Sequence, residues 1–205
     1  VGVRALSIVA LMAFLIGVVL AYQLGVQLKS YGANIFVVQM TGIAILREFG
    51  PLITAIIIAG RTSTSFSALI GTMKVNEELD ALTVMGKTAV VMLVIPRVIA
   101  LFIALPLLVV WANLFSILGS MVVAKHLLGI GYLTFLHQFQ LSVSVSHYLI
   151  GILKAPIFAL VISTVGCFQG LRVEVSADSV GRQTTQAAVQ SIFLIIIVDA
   201  FYSVL

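Results

Sequence analysis

Residues 45–86 decide the fold and read ILREFGPLITAIIIAGRTSTSFSALIGTMKVNEELDALTVMG. Arg47 and Glu48 lie inside an apolar run in the first part of this stretch, and a short acidic segment with helix signals ends it. Ionisable groups within a membrane span are costly and usually functional. A charged amphipathic helix between two spans offers a docking surface to a soluble partner. The stretch therefore predicts a membrane transporter subunit that another protein drives.

The composition is that of an integral membrane protein. Of the 205 residues, 61% are hydrophobic and 9% are charged, whereas about a quarter of the residues are charged in soluble domains. The formal net charge of +4 comes from scattered basic residues, while nucleic-acid binding would need a basic face. The single cysteine, Cys167, lies in an apolar run and is expected to be a small core residue. We therefore expect an all-α integral membrane protein with no nucleic-acid partner.

Long apolar runs predict five transmembrane helices, because about 20 apolar residues cross the hydrocarbon core. The predicted spans cover residues 5–24, 35–70, 88–124, 148–170 and 187–205. The second run is longer than one span and contains Pro51, which predicts either one long broken helix or a short entry segment followed by a span. The third is interpreted as one long helix, with Arg97 near an interface and a bend at Pro106.

The basic residues orient these spans. With a cytoplasmic N-terminus, the inner side receives Arg4, Arg61, Lys74, Lys87, Arg97, Arg172 and Arg182, and the outer side receives Lys29, Arg47 and Lys125, with Lys154 in the membrane. The positive-inside rule favours this orientation. The polar connections 71–87 and 171–186 then face the cytoplasm. Residues 125–147 are expected to form an outer-side surface segment, either a helix or a loop.

Residues 75–86 carry the signals of a short cytoplasmic helix. Asn76 is a predicted N-cap, acidic residues fill the first turn, where the helix dipole favours anions, and Gly86 suits the C-terminal stop. The apolar stripe consists of Val75, Leu79, Leu82 and Met85, and the acidic residues are Glu77, Glu78 and Asp80. Interfacial helices usually carry basic residues on their polar face. Docking to a protein is therefore favoured over lying flat on the bilayer.

Signatures of catalysis are missing from the sequence. No phosphate-binding GxxxxGK[ST] loop exists in the chain, so ATP and Mg²⁺ would be bound and hydrolysed by a separate subunit. The three histidines, His126, His137 and His147, do not have metal-ligand spacing and are interpreted as interface residues. We expect no catalytic residue, no metal and no cofactor in this chain.

Two blocks of the sequence resemble the MlaE (YrbE) family of ABC transporter permeases. The first block comprises LREFGP at 46–51, AGR at 59–61, GTMKV at 71–75, Glu78, DAL at 80–82 and MG at 85–86. The second comprises VGRQTT at 180–185, SI at 191–192 and Asp199. Leu69 departs from the family, which commonly has an acidic residue shortly before GTMK. Asp178-Ser179 also departs, because the family often has Glu-Gly there.

The resemblance covers essentially the whole chain and implies a transport subunit, not an enzyme. It implies a homodimer bound to two ABC ATPase subunits and to an MCE-domain lipid-binding protein. Such a complex moves phospholipids or related hydrophobic molecules between the bacterial inner membrane and the envelope, as in systems that maintain outer-membrane lipid asymmetry. Residues 1–205 would form a single transmembrane permease domain, and a family-type interfacial helix is expected before Val1. The cytoplasmic motif of the second block contains Gly181, Arg182, Thr184 and Thr185.

The substrate is expected in a cavity at the dimer axis, lined by Arg47, Glu48, Pro51 and Thr54 of the second span. Arg47 would contact a lipid phosphate through charge-assisted hydrogen bonds. Glu48 would hold the partner protomer's Arg47 or gate the cavity. Neighbouring helix residues point about 100° apart, so Arg47 and Glu48 need not pair with each other. The alternative is that both snorkel to the outer surface as interface anchors.

Lys154 and Asp199 are the other intramembrane charges. Both are expected to face the bundle interior, because an exposed charge in hydrocarbon is costly. They either pair with each other or act as a structural polar lock without a direct role in transport. Two rival functions remain at this point, a small-solute ABC permease and an ATP-independent channel or secondary transporter. A large apolar cavity would favour lipid, a narrow polar one would favour a solute, and dependence on an ATPase would exclude the channel.

Overall fold

The computed structural model describes residues 2–29, 34–174 and 176–204, and the regular elements in these ranges are all helical. The α-helices are α1 (Gly2–Lys29), α2 (Asn34–Ala44), α3 (Gly50–Ile58), α4 (Thr64–Val75), α5 (Glu78–Val84), α6 (Ile95–Leu128), α7 (Tyr132–Ser142), α8 (Val145–Leu171) and α9 (Ala177–Val204). Wider π-helical turns at Ile45–Phe49, Ala59–Ser63 and Val90–Val94 join α2 to α3, join α3 to α4 and lead into α6.

Five helical stretches are long and apolar enough to cross a membrane, which confirms the predicted fold class. They are Ala5–Lys29, Phe36–Val75, Val90–Leu128, Val145–Leu171 and Ala177–Ser203. The second and third contain 40 and 39 residues. Because about 20 residues cross the hydrocarbon core, both helices extend beyond it.

The second span is one continuous helical run, and π-helical turns take the place of the expected break. The Gly50 amide donates to the Ile45 carbonyl across the first of these turns. Pro51 follows immediately and lacks a backbone donor. An inserted π turn is a recognised way to absorb such an interruption without leaving the helix. Helix α4 continues to Val75, so that the first residues of the predicted polar segment, 71–75, are helical.

The polar connection predicted over residues 171–186 is wrong in its extent. Helix α9 begins at Ala177, so that residues 177–186 are helical. The Ser176 hydroxyl accepts a hydrogen bond from the Ser179 amide at 3.2 Å, which is N-cap geometry. The polar residues 177–186 disfavour burial in hydrocarbon, but they do not oppose helix formation.

The segment 125–147, whose placement on the outer side stays a prediction, is mostly helical. Helix α6 runs on to Leu128, and α7 follows as a separate helix. The Phe135 side chain is buried against Val38 and Ala124, whereas Leu133 on the same helix is exposed. The surface-helix alternative of the prediction is therefore confirmed.

The chain divides into two compact units. The first comprises Val1–Thr54 and Pro106–Lys154. In it, α2 packs against α1 and α7. Helices α1 and α6 touch at glycines, because a Cβ on Gly17 would overlap the Ser116 carbonyl and one on Gly119 would overlap that of Phe14. The Ser116 hydroxyl donates to the Ala13 carbonyl at 2.9 Å. This is the small-residue packing typical of membrane helices.

The second unit comprises Ala55–Leu105 and Ala155–Leu205. Its α4 and the π turn before it pack against α9. The buried Ser63 hydroxyl lies 2.8 Å from that of Ser191 and 3.1 Å from the Ala187 carbonyl. Gly166 of α8 contacts the Ser63 backbone from another direction. The boundaries of the two units fall within α3, α6 and α8. That residues 1–205 form a single permease domain stays a prediction.

Candidate functional site

Arg47 and Glu48 occupy the π-helical turn Ile45–Phe49. Short π turns inside α-helices are frequent at functional sites. The same turn buries Ile45 and Leu46, which leaves the two charged residues on its half-buried side. Gly151 of α8 packs closely on the Leu46 carbonyl, where no side chain would fit. The contact with Gly151 holds the buried side of the turn in place. Arg47 and Glu48 extend from its other side.

Glu48 links two cations from different parts of the chain. Its Oε2 accepts from the Lys154 ammonium at 2.5 Å, and its Oε1 lies 3.2 Å from Arg47 Nε. The Lys154 side chain is 0% exposed, against 33% for Arg47 and 27% for Glu48. Arg47 and Glu48 need not pair on the basis of the sequence, but in this structure they do. Their flexible side chains bend together although they are adjacent in sequence.

The buried ion pair changes the role expected for Glu48. Both carboxylate oxygens already have partners within the protomer. Removing Lys154 from water is costly unless an opposite charge lies beside it. Glu48 is therefore first a neutralising partner for Lys154, and a bond to the partner protomer's Arg47 stays a prediction.

Asp199 is also buried, at 8% exposure, on α9. It belongs to the second compact unit and Lys154 to the first. The predicted pairing of these two residues stays a prediction, as does the alternative of a structural lock.

Pro51 and Thr54 are both buried. The Thr54 hydroxyl donates to the Gly50 carbonyl at 2.7 Å, one turn back on the same helix. This bond satisfies the hydroxyl locally, as is usual for threonine in membrane helices. Their predicted contribution to a substrate cavity stays a prediction. An open apolar groove of about 250 Å³ lies elsewhere, lined by α1 and α6 through Tyr22, Val122, Val123, His126 and Leu127.

Asn113, which lies in an apolar run of α6, was not among the predicted site residues. Its side chain is 2% exposed, and neither amide atom has a hydrogen-bond partner in the described part of the chain. Its Oδ1 lies against Gly50, where a Cβ would overlap it. A lone amide within a span is a signal that could have been noticed, because polar residues there are rare.

The predicted coupling helix exists as α5, but its start differs from the prediction. Asn76 is not the N-cap. Glu77 takes that position in the left-handed region, with φ 60°, and makes no side-chain capping bond. The side-chain amide of Asn76 instead donates to Glu78 Oε1, with Nδ2 3.4 Å from that oxygen. Residues 76 and 77 form the turn between α4 and α5, and the left-handed conformation of Glu77 in this turn takes the place of an Asn76 cap. The helix stops before Gly86, which has φ +73°, as predicted.

The stripe on α5 divides into a buried and an exposed part. Leu79 is 8% exposed, and Val75 and Leu82 are half-buried. Met85 is 63% exposed, and its neighbour Val84, outside the predicted stripe, is 88% exposed. The acidic residues Glu77, Glu78 and Asp80 are exposed. The surface that α5 offers therefore combines carboxylates with an exposed apolar end.

The end of α4 is tied to the end of α8. The Lys74 ammonium donates to the Leu171 carbonyl at 2.8 Å, one of the carbonyls that a helix leaves unsatisfied at its C-terminus. Val173 packs on Gly71, where a Cβ would come within 2.7 Å of it. The residues just before α5 are thereby fastened to the connection between α8 and α9.

The motif Gly181, Arg182, Thr184 and Thr185 lies in the N-terminal turns of α9, not in a loop. The Thr184 and Thr185 hydroxyls donate to the Gly181 carbonyl at 2.7 and 3.2 Å. Arg182 is exposed. Among the described residues, no group of three or more His, Cys, Asp or Glu is placed to hold a metal ion.

The sequence of this chain matches the family model described as Permease MlaE over residues 1–205. The chain belongs to the MlaE permease family. A probable ABC transporter permease of Synechocystis sp. is 33% identical over 203 residues, covering 99% of this chain and 77% of that protein. One from Rickettsia typhi is 34% identical over 200 residues, covering 96% and 76%. The Arabidopsis thaliana protein TRIGALACTOSYLDIACYLGLYCEROL 1, chloroplastic, is 29% identical over 198 residues, covering 97% and 57%.

Membership of the MlaE family defines the class of protein. This MlaE-family chain is a multi-pass membrane protein and the permease subunit of an ABC transporter. An ABC permease is a transport subunit that works with an ATPase partner. The ATP-independent channel considered from the sequence is thereby set aside.

Proposed function

We propose that this permease moves phospholipids or related hydrophobic molecules between the bacterial inner membrane and the envelope. The observation that carries the proposal is Arg47 in its π turn. Among the described residues Arg47 is paired only with Glu48, through Arg47 Nε and Glu48 Oε1 at 3.2 Å. Guanidinium groups bind phosphate through paired, charge-assisted hydrogen bonds. An arginine presented in this way within an apolar span suits the phosphate of a lipid.

Lys154 supports this use of Arg47. Glu48 is shared between the two cations, so its charge does not neutralise Arg47 alone. The buried Lys154 also holds the carboxylate in place. Arg47 therefore keeps positive charge available to an anion while the salt bridge limits the orientations of its side chain. The name of the Arabidopsis relative contains that of a galactolipid, which agrees with a lipid as the cargo of this chain.

The energy source in this proposal is an ABC ATPase that docks on α5 and binds ATP and Mg²⁺. Its contact surface would be the exposed end of α5, Val84 and Met85, with the carboxylates beside it. The bond from Lys74 to Leu171 would pass movement of α5 to the end of α8. Closure of the ATPase would then displace α4 and α8 together.

The proposed assembly is a homodimer with an MCE-domain partner in the inner membrane. The family resemblance supports both partners, and the excess of basic residues on the side of α5 supports a cytoplasmic N-terminus. The phospholipid would enter a cavity at the dimer axis. Arg47 and Glu48 would line this cavity.

Reconstitution tests the proposed function. The purified complex is placed in vesicles that contain a fluorescent phospholipid, and ATP-dependent movement of that lipid is measured. The Arg47→Ala variant should transport the lipid about 10- to 100-fold more slowly than the parent, because it loses one charge-assisted contact. The matched control is Lys125→Ala, which removes an exposed cation of α6 and should transport normally. ATP-dependent movement of a small polar solute, with no lipid movement, would show that the cargo is wrong.

A further inference from the structure

A second arginine stands in a second π-helical turn of the same span. The turn Ala59–Ser63 has Arg61 at its third position, as Ile45–Phe49 has Arg47. Arg61 is exposed, and it has no ion-pair or hydrogen-bond partner in the described part of the chain. It lies inside the apolar stretch Phe36–Val75. This stretch is longer than the hydrocarbon core is thick, and an arginine toward the end of such a helix lies where lipid head groups can pair with it.

The opposite side of this turn is firmly anchored. Ala59, Thr62 and Ser63 are buried, and the Ser63 hydroxyl bonds to the Ala187 carbonyl and the Ser191 hydroxyl of α9. The backbone that carries Arg61 is therefore held in place. The guanidinium group projects from the exposed side of a fixed turn, which is the arrangement of a binding group rather than of a mobile surface residue.

Two neighbours make the surroundings of Arg61 suitable for an anion. Ser65, one helical turn further on, is exposed and has no hydrogen-bond partner among the described residues. A Cβ on Gly60 would meet no atom within 4 Å, so that a ligand can approach the backbone there. The Thr64 hydroxyl is already bonded to the Gly60 and Arg61 carbonyls. The available groups are one guanidinium and one hydroxyl beside open backbone.

This exposed side differs from the lipid-facing surface of the same unit. On α9 the exposed side chains include Val189, Phe193 and Phe201, as expected for contact with lipid tails. On this face Arg61 and Ser65 are exposed and polar, Gly60 is half-buried, and the exposed apolar residue Leu69 follows one turn later. Hydrocarbon is a poor environment for Arg61 and Ser65, whereas a phosphate group satisfies both.

We propose that Arg61 and Ser65, with Gly60 beside them, bind the phosphate group of a lipid at a second site, separate from Arg47. The proposal rests on the proposed function, because it gives the transported phospholipid a second binding position along the same helical span. A guanidinium can take two phosphate oxygens, and the serine hydroxyl can donate to a third acceptor or to an ester oxygen.

Photocrosslinking in cells grown with ³²P-orthophosphate tests this site. A benzophenone amino acid replaces Leu69, which is exposed one turn beyond Ser65, and the whole complex is irradiated and purified. Benzophenone inserts into C–H bonds, which inorganic phosphate lacks. The expected result is a ³²P-labelled permease whose labelling falls about 10-fold in Arg61→Gln, because one charge-assisted contact is lost, and persists in Arg61→Lys. The same probe at Phe193 is the control, and its labelling should not depend on residue 61.

Three results of the crosslinking experiment would overturn the inference. If labelling at position 69 were equal in Arg61→Gln and the parent, the probe would be capturing only bulk lipid around the helix. A permease–permease adduct without ³²P would show that this face contacts a second copy of the chain. Absence of ³²P labelling at position 69 in the parent would show that no lipid phosphate lies there, because benzophenone cannot capture free phosphate.

Transport measurements separate this inference from the proposed function. Arg61→Gln should reduce ATP-dependent phospholipid movement in vesicles, while Arg61→Lys restores most of it. If Arg47→Ala abolishes lipid movement but Arg61→Gln transports at the parent rate, Arg61 is only a membrane anchor and this inference alone fails. If the parent complex moves no phospholipid, the proposed function itself fails.

Discussion

The Lys154 ammonium lies 2.5 Å from Glu48 Oε2, although the two residues are 106 positions apart in the chain. The pair joins α8 to the π turn of the second span. Lys154 is completely buried, and the Glu48 carboxylate offsets part of the cost of burying its charge. The charge cluster of this permease is thus a structural element as well as a candidate site for the substrate.

Breaking this pair should destabilise the protein in a non-additive way. Glu48→Gln leaves the buried ammonium without that carboxylate, and Lys154→Met leaves Glu48 with Arg47 alone. Each single change should cost about 3 kcal/mol, and the double change should cost less than the sum by at least about 1 kcal/mol. The free energy of unfolding of the purified permease in detergent measures this. Additive losses would mean that the two groups do not stabilise each other.

A separate double-mutant cycle tests the energetic coupling predicted between Lys154 and Asp199. Lys154→Met and Asp199→Leu are made singly and together, and the stability and transport of the complex are measured. A coupling energy of about 0.5–3 kcal/mol is expected for groups in one charge network. The control cycle combines Asp199→Leu with Lys29→Met, which alters an exposed lysine on α1. The pairing would be refuted if the Lys154 cycle were as additive as the control.

Docking of the ATPase should depend on the exposed end of α5. Val84→Asp together with Met85→Asp places two charges on this apolar surface and should abolish copurification of the ATPase. The permease should still insert and fold, because both side chains are exposed. The matched control is Leu133→Asp, which changes an equally exposed leucine on α7.

Leu79 and Leu82 belong to the predicted apolar stripe, but they are less suitable than Val84 and Met85 for testing ATPase docking. Leu79 is buried within the chain, so Leu79→Asp should lower the stability of the permease itself. Undiminished ATPase binding by the Val84 and Met85 variant would exclude this end of α5 as the contact.

Glycine should be tolerated at position 77, because the backbone there is left-handed. Glu77→Gly removes the steric cost of φ 60° and should leave stability equal or raise it by up to about 1 kcal/mol. Glu78→Gly, one residue later and inside α5, should lower stability by up to about 1 kcal/mol. Thermal unfolding of the two variants compares them directly. The opposite order of stability would mean that the reversal between α4 and α5 is not set by Glu77.

The glycines of the α1–α6 contact should not tolerate alanine. A Cβ at Gly17 or Gly119 would overlap the backbone of the facing helix, which can only be relieved by moving the helices apart. We expect a loss of about 1–3 kcal/mol for each. Gly181→Ala is the control, because a Cβ there meets nothing within 4 Å and alanine favours helix by about 0.5–1 kcal/mol. Equal tolerance at all three positions would contradict this close contact between the helices.

The sequence alone determined the class of fold and the position of the charged residues. Apolar runs must be helical in a membrane, because the backbone groups find no water there. That requirement predicts five spans, and the structure confirms them. The helix signals of residues 75–86 also predict α5, since the acidic first turn and Gly86 act locally.

Only the tertiary structure decided which groups meet. The bond between Lys154 and Glu48 depends on the packing of α8 against the second span, and no local pattern encodes a contact across 106 residues. The π turns at Arg47 and Arg61 arise where an extra residue is accommodated within a packed helix, so apolar periodicity does not reveal them. The left-handed Glu77 likewise follows from the reversal between α4 and α5. Charge and hydropathy are properties of single residues, whereas pairing and backbone strain depend on neighbours that only folding brings together.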